Sequence, residues 1–421
     1  MAHRFFEAGG AGALEISVAR RMTEIDPLEW DSLLEAADRP LLSWGFLALL
    51  EESGSIRPET GWEPFHFLLR EKGEGGAARG RLLAAAPFYG RSGSWGDFVF
   101  DFDFAEAADR MGAAYYPKLV GAVPVTPAPA WRVLVAPGSD RPALEALLVA
   151  AAEEAARASG FGGIHLLWPE PEAAARILSL PRRRGERGSW RAWGHQAFLW
   201  KDEGYGDFEG YLDSFSKNMR RNVRREREAL RAAGLETRAI GPAEASPSLL
   251  RRMAQLYDAH NDRFGPWAAR FLTEDFFLRL PEFMPEGWVM GAAFERGAGD
   301  EALALSFLLE GPRRLYGRYW GAARDLPGLH FELCYYLPIE RALARGIPGF
   351  DPGMGSPHKA RRGFRSLVVP SLHLPFDPRV ESLMETWLPR LGEEASREAA
   401  ALNEELPFKK SPGAQAGSTT L

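Results

Sequence analysis

The stretch from Leu315 to Phe364 constrains the fold most, because its apolar spacing changes period twice within a short run. Leu315 to Trp320 alternates apolar and polar residues ahead of Gly321, the pattern of a half-buried strand. Asp325, Pro327 and Gly328 interrupt the chain, and Leu329, Leu333, Tyr336, Leu337 and Leu343 then recur at helical spacing up to a stop at Gly346. Ile347 to Phe350 is a second short strand. It runs into Asp351-Pro352-Gly353, a turn signal, and then into the basic cluster His358, Lys359, Arg361 and Arg362. Strand, helix and strand in this order, with polar residues at the junctions, predict an α/β fold with its binding site on these loops. Pro338 falls inside the helical run, where a missing amide and a ring clash cost about 3 kcal/mol. Either the helix kinks there, or Pro338 opens a shorter helix.

A chain of 421 residues is long for one core, so two domains are expected. The net charge of -6 argues against bulk attraction to DNA or to an anionic membrane, and any polyanion must meet a local patch. A single cysteine, Cys334, excludes an internal disulfide framework and a cysteine-cluster metal site, and fits a reducing compartment. The histidines show no HExxH or similar spacing, so no metal is expected. No run of apolar residues is long enough for a membrane span or a signal peptide, which makes the cytoplasm the expected location.

Helix start signals stand at Asp26-Pro27, for a helix through Glu35, and at Ser43, for a helix through Glu52. Phe65 to Arg70 and Arg81 to Tyr89 read as strands, as do Trp131 to Val135 and Gly163 to Trp168. Arg141 to Ser159 reads as an alanine-rich helix. Trp95 to Phe104 alternates aromatic and acidic residues with period two and is expected to be a strand, either at an exposed edge or facing substrate. Arg182 to Arg191 reads as a solvated basic loop. The opening order of strand, two helices and two strands returns over Leu235 to Gly311, with helices at Leu249 to Arg263 and Phe271 to Phe283 and strands at Trp288 to Phe294 and Ala302 to Glu310. The expected fold class is therefore α/β with mixed sheets, built from two like-ordered halves. The expected divisions are an N-terminal domain over 1–206, a basic connecting helix over 207–234, a C-terminal domain over 235–376, a helix over 377–410 and a disordered polar tail over 411–421.

In the connecting segment, Ser216 is a candidate cap for a helix whose apolar residues Met219, Val223 and Leu230 form a narrow stripe. Lys217, Arg220, Arg221, Arg224 and Arg225 cover the remaining surface. They read either as a solvated face or as a clamp for a phosphate-bearing substrate.

Several segments resemble the FemAB-like bacterial family in the same order. They are SWGFLALLEESG (Ser43 to Gly54), YYPKLVGAVPVTP (Tyr115 to Pro127), SFSKNMRRNVRRER (Ser214 to Arg227), LYGRYWGA (Leu315 to Ala322), LHFELCYY (Leu329 to Tyr336), PHKARRGF (Pro357 to Phe364) and ELPFKK (Glu405 to Lys410). The sequence departs from that family at Leu337-Pro338, where the family runs Gln-Gly, and at Gly355-Ser356-Pro357, where it runs Gln-Gly-Glu. The resemblance implies two tandem GNAT-like domains. It also implies an N-acyl or aminoacyl transferase that forms an amide on an amine, such as a cell-wall precursor, by direct attack and without a bound cofactor. The donor it implies is an acyl-CoA or an aminoacyl-tRNA. The Arg/Gln-x-x-Gly-x-Gly/Ala loop that GNAT enzymes use for coenzyme A is missing at Ala136-Pro137-Gly138-Ser139 and at Gly321-Ala322-Ala323-Arg324.

Acyl transfer to an amine needs a base, donors for an oxyanion and a dry pocket. Candidate catalytic residues are Glu332, Asp351, His358, Tyr319 and His330, and candidate substrate-binding residues are Arg318, Trp320, Tyr335, Tyr336, Lys359 and Arg362. Cys334 reads as a core residue, not as a nucleophile. The basic helix and the loop after Asp351 are expected to face one cleft. Two other readings remain: a recognition protein for a cell-wall fragment or other anionic ligand, and an RNA or tRNA binder that uses the basic helix.

Overall fold

A computed structural model describes residues 4–6, 14–72, 80–181, 188–265, 268–297 and 301–409. The first part of the expected Arg182 to Arg191 loop and the expected tail at Ser411 to Leu421 lie outside these residues. The chain divides into two compact units, one holding the residues up to His195 together with Val368–Ala395, the other Gln196–Leu367 and the residues from Ser396 on. Both are α/β units with mixed sheets.

In the first unit, strands Arg4–Phe6, Leu14–Ala19, His66–Glu71, Leu82–Ala86 and Leu134–Val135 form an antiparallel sheet in that order. Trp62–Pro64, Phe88–Arg91, Lys118–Gly121 and Gly163–Leu166 pair in sequence, and the last two run parallel through Leu119 and Ile164. Arg141–Ala158 starts on the Asp140 carboxylate, which accepts from the Ala143 amide. It lays Leu148, Val149, Ala152 and Ala156 against a core of Phe67, Phe88, Trp131 and Ile164. The capping signals at Asp26 and Ser43 are used as expected, although the first helix spans only Pro27–Asp31.

Trp95 to Phe104 is not a strand. Asp97 and Asp101 turn inward instead of lining one face: Arg91 Nε donates to Asp97 at 2.8 Å, and Lys118 Nζ and the Tyr115 hydroxyl both donate to Asp101 at 2.6 Å. All four charged groups are buried. Burying Arg91 and Lys118 demands local carboxylates. Supplying them bends the backbone, and the chain enters helix Phe102–Arg110 with Trp95 and Phe100 exposed.

The second unit carries strands Leu235–Ile240, Trp288–Glu295, Ala302–Glu310, Leu315–Ala322 and Gly349–Asp351 in sheet order, followed by the end of Arg191–Lys201. The first four are antiparallel, whereas Leu315 and Tyr316 pair in parallel with Phe350 and Asp351. Helix Pro247–Asp262 lies on Leu315–Ala322, and Gly321 permits the approach, since a Cβ there would stand 2.2 Å from the Leu256 carbonyl oxygen. The expected helix over Phe271 to Phe283 is two short ones, Glu274–Leu278 and Leu280–Phe283, with Pro281 in the first turn of the second. Ser216 precedes the basic helix Lys217–Ala232 but its side chain makes no capping bond.

Pro338 stands in the first turn of Leu337–Arg345, as the second alternative has it, but that helix continues directly from the residues before it. Leu329–Phe331, Glu332–Tyr336 and Leu337–Arg345 follow without a break, and the middle five residues widen into a π turn. In π register the Leu333 carbonyl faces position 338, where proline has no amide. The Ser306 hydroxyl from the sheet donates to that carbonyl instead, at 2.8 Å. Gly291 leaves the room, because a Cβ there would lie 2.6 Å from Ser306 Oγ. Gly346, at φ +65°, ends the helix as expected.

Two outcomes follow. Ser306→Ala strands a buried carbonyl and should lower stability by about 1–3 kcal/mol in denaturant unfolding, while Ser306→Thr should keep part of it; equal midpoints for wild type and Ser306→Ala would remove the role given to this bond. The second outcome concerns acid. In the first unit His165, His373, Ser371 and His195 form one hydrogen-bonded chain with links of 2.7, 2.6 and 2.6 Å. Burial pushes His165 down to about 3, His195 to about 4 and His373 well below the ordinary imidazole value. His330 of the second unit is also held at about 4, first by burial. These imidazoles stay neutral in the fold but charge in the unfolded chain once pH drops below about 6.5. Stability is therefore present above that value and lost as pH falls toward the folded values, by about 1.4 kcal/mol per pH unit per imidazole. The melting temperature should fall steeply between pH 7 and pH 5, and a flat profile would contradict the burial of these rings.

Candidate active site

The parallel pairing of Leu315–Ala322 with Gly349–Asp351 lasts two residues, after which Pro352 takes one strand away and the other continues. The opening borders a cavity of about 430 Å³ within the second unit. Gly317, Arg318, Tyr319 and Trp320 line it from the continuing strand, His330, Phe331, Cys334 and Tyr335 from the helix, and Pro352, Met354, Ser356, His358 and Lys359 from the loop. The helical spacing i, i+1, i+4 and i+5 puts all four helix residues on the same side.

Arg318 owes its direction to a β-bulge. Phe307 pairs with Tyr319 and Leu308 with Gly317, so Arg318 is the extra residue between them. Its Nη1 donates to the Gly317 carbonyl at 3.1 Å, whereas Nε and Nη2 are shut off from water and have no hydrogen-bond partner among the described residues. Burial pulls its guanidinium below the ordinary value, with Asp351 opposing.

Lys359 is buried and donates to the carbonyls of Gly353 at 2.8 Å and Met354 at 2.6 Å. Burial lowers it to about 8, although Asp351 pulls the other way. Asp351 itself accepts from the Gly353 amide at 2.8 Å and is not among the lining residues. Ser356, where the resembled family carries Gly, sits at φ +69°. That left-handed backbone stores roughly 1 kcal/mol or more of strain beside the cavity.

Of the remaining candidates, Tyr319, Trp320, His330, Tyr335 and His358 line the cavity. His330 packs edge-on against Trp320, with ring centroids 4.6 Å apart. Burial pushes the Cys334 thiol and the Tyr319 and Tyr335 hydroxyls up, so all three stay protonated near neutrality.

Glu332, Tyr336 and Arg362 point elsewhere. Arg227 of the basic helix grips Glu332 with two bonds of 2.9 Å, and Thr237 adds a third at 3.1 Å. Tyr336 donates to Glu226 at 2.6 Å, and Arg362 lies 3.3 Å from the centroid of the Phe331 ring while donating to the Tyr336 hydroxyl at 3.0 Å. The basic helix thus reaches the loop through Glu226 and the helix after Gly328 through Arg227, but contributes no lining residue, so the expected sharing of the cleft with the loop is not found. Its outer cations have neighbours of their own: Arg220 bonds Asp213, Arg224 bonds Glu209, and Arg221 and Arg225 bond Asn218 and Asn222. Lys217 is exposed at the helix start. Ser306 and Gly291, which support the helix behind the cavity, were not singled out in the sequence; a small residue on each of two paired strands was the only cue. No group of three or more candidate metal ligands occurs among the described residues, and no described helix is long and apolar enough to cross a membrane.

Removing Arg227 would leave Glu332 buried without its counterion. Arg227→Ala should cost about 3–5 kcal/mol, against a much smaller loss when Glu332→Gln is added to it. A double-mutant cycle reads the difference, and additive losses would mean that the pair is not coupled.

No curated protein matches the sequence. Among solved structures the chain is similar to FemX, with 12% identity, 86% of this chain and 99% of that one covered, and a TM-score of 0.49. It is similar to L-PGS from Bacillus licheniformis (12% identity, 86% and 96% covered, TM-score 0.45) and to a tandem GNAT protein from the clavulanic acid biosynthesis pathway (13%, 86% and 97%, 0.42). A family described as peptidoglycan biosynthesis/recognition matches residues 21–410, which include each motif singled out above. By that match the chain belongs to the FemAB-like family.

Proposed function

We propose that the chain is an amide-forming N-acyltransferase whose reaction site is the cavity beside Arg318 and Lys359. The acceptor is the amine of a cell-envelope precursor, in keeping with the family's description, and the donor is an acyl-CoA or an aminoacyl-tRNA. The observation that carries the reading is the lining itself: a neutral imidazole, a buried ammonium and aromatic walls meet where two parallel strands part.

The chemistry follows from those groups. The amine nitrogen attacks the acyl carbon, a C–N bond forms, and the carbonyl electron pair moves onto oxygen. His330, held neutral by burial, takes the proton released from the amine and returns it to the sulfur or oxygen that leaves as the bond to the carrier breaks. Lys359 spends two of its three N–H bonds on carbonyls, so the third is the donor for the developing oxyanion. Tyr319 and Trp320 keep the site dry.

The assay combines acetyl-CoA, longer acyl-CoAs or charged tRNA with cell-wall precursors and follows carrier release and the new amide. His330→Asn should cost about 100- to 10,000-fold in kcat. Lys359 has a folded value of about 8, lowered first by burial and further by Arg318, with Asp351 and Cys334 opposing. Its ammonium is complete below pH 8 and is lost as pH rises, so kcat should turn down near pH 8. In Lys359→Arg that downturn should move to higher pH, and an unmoved alkaline limb would remove Lys359 from the reaction. Precursors that bind without any amide forming would favour the recognition reading instead.

A further inference from the structure

We infer that the substrate taken into this cavity carries a free carboxylate, which the Nε/Nη2 edge of Arg318 receives as a two-bond fork. The inference deepens the transferase reading and rests on it for the identity of the cavity as a substrate site. Four observations converge on it. The two unpartnered nitrogens lie on the same side of the guanidinium, the edge whose paired N–H bonds match the spacing of a carboxylate. The third nitrogen is already engaged by the Gly317 carbonyl, so the group is anchored with this edge left without a partner. A β-bulge, which elsewhere would only disturb the ladder, turns this side chain toward the opening. Finally, the lining holds Arg318 and Lys359 but no carboxylate, and Asp351 behind the loop is the acid that acts on both cations.

Two cations against one acid leave a single positive charge to be met. A monoanion meets it, whereas a phosphate dianion would need a further donor set. The cavity volume of about 430 Å³ and its walls of Phe307, Trp320, Phe331 and Tyr335 suit a small acid with an apolar body. An amino acid or the carboxyl end of a short peptide has this form. Lys359 adds charge but is spent on two carbonyls, so Arg318 sets the orientation.

Binding is tested on the whole chain without turnover. The probes are N-acetylalanine, N-acetylleucine and N-acetylphenylalanine of either hand, their primary amides, and inorganic phosphate, read by calorimetry and thermal shift. The acids should bind and raise the melting temperature, and the amides and phosphate should not. Arg318→Gln should weaken the acids about 10- to 100-fold. Arg318→Lys should stay weak despite its charge, because it has no fork. Because Arg318→Gln removes an unpaired buried cation, its ligand-free melting temperature should equal or exceed that of the wild type, which separates lost binding from lost folding. Amides binding as well as acids, phosphate binding in their place, acids binding Arg318→Gln unchanged, or no probe binding at all would overturn the inference. Acids that bind through Arg318 in a chain with no transfer activity would sink the transferase reading and leave the carboxylate site standing.

Discussion

A missing amide sets how the helix behind the pocket meets the sheet. Pro338 has no N–H to offer the turn before it, and an α-helix carried through that point would have to break or bend. The chain instead widens by one residue, and the Ser306 hydroxyl takes over the Leu333 carbonyl. That single bond ties the helix to the sheet at the level of the cavity. His330, Phe331, Cys334 and Tyr335 stand at i, i+1, i+4 and i+5, so they share the face of the helix that meets the cavity. Gly291 belongs to the same arrangement, since any side chain there would push the hydroxyl off its acceptor.

The arginines near this helix are treated in opposite ways. Arg227 is fully engaged, holding Glu332 with two bonds and Glu340 with a third at 2.7 Å. Arg362 is engaged by stacking on Phe331 and by bonds to Tyr336 and Glu226. Both lock the helix to its surroundings, and a buried ion pair of this completeness is what a rigid support needs. Arg318, whose guanidinium lies 5.6 Å from the Tyr316 ring centroid, keeps two donors idle. The two arginines that brace the helix are paired and this one is left open at the cavity.

Much of the fold was legible in the sequence, because alternation, helical spacing and caps report which face of an element is buried. Asp26, Ser43 and Gly346 end or begin helices where their chemistry says they should, and the strands around Trp288, Ala302 and Leu315 fall within a residue or two of their expected limits. The site was legible in part. The loop and helix that line the cavity lie in the stretch singled out first, and Arg318, Lys359 and His330 were among its candidates. What periodicity does not carry is a partner. Asp97 and Asp101 alternate with aromatic residues as a strand face would, yet their carboxylates answer to Arg91 and Lys118. Glu332 looks like a base until Arg227, 105 positions away, closes on it. The bulge at Arg318 depends on register with another strand, and no local pattern announces it.

The basic helix shows how far such partners alter a charge run. On the sequence alone its cations outnumber any local acids, and an anionic ligand is the natural reason to keep them. In the fold Asp213 and Glu209 take Arg220 and Arg224, while Glu332 and Glu340 take Arg227. The exposed pairs are worth little in stability, but they lower the field that a polyanion would feel. The inward pair does more, because Arg227 also lies 4.8 Å from the Phe208 ring centroid and so fixes the helix to the core beside the cavity. The helix therefore acts on the site from behind, as a brace for the π turn, and the demand for an anion passes from its surface arginines to the Nε/Nη2 edge of Arg318 at the cavity.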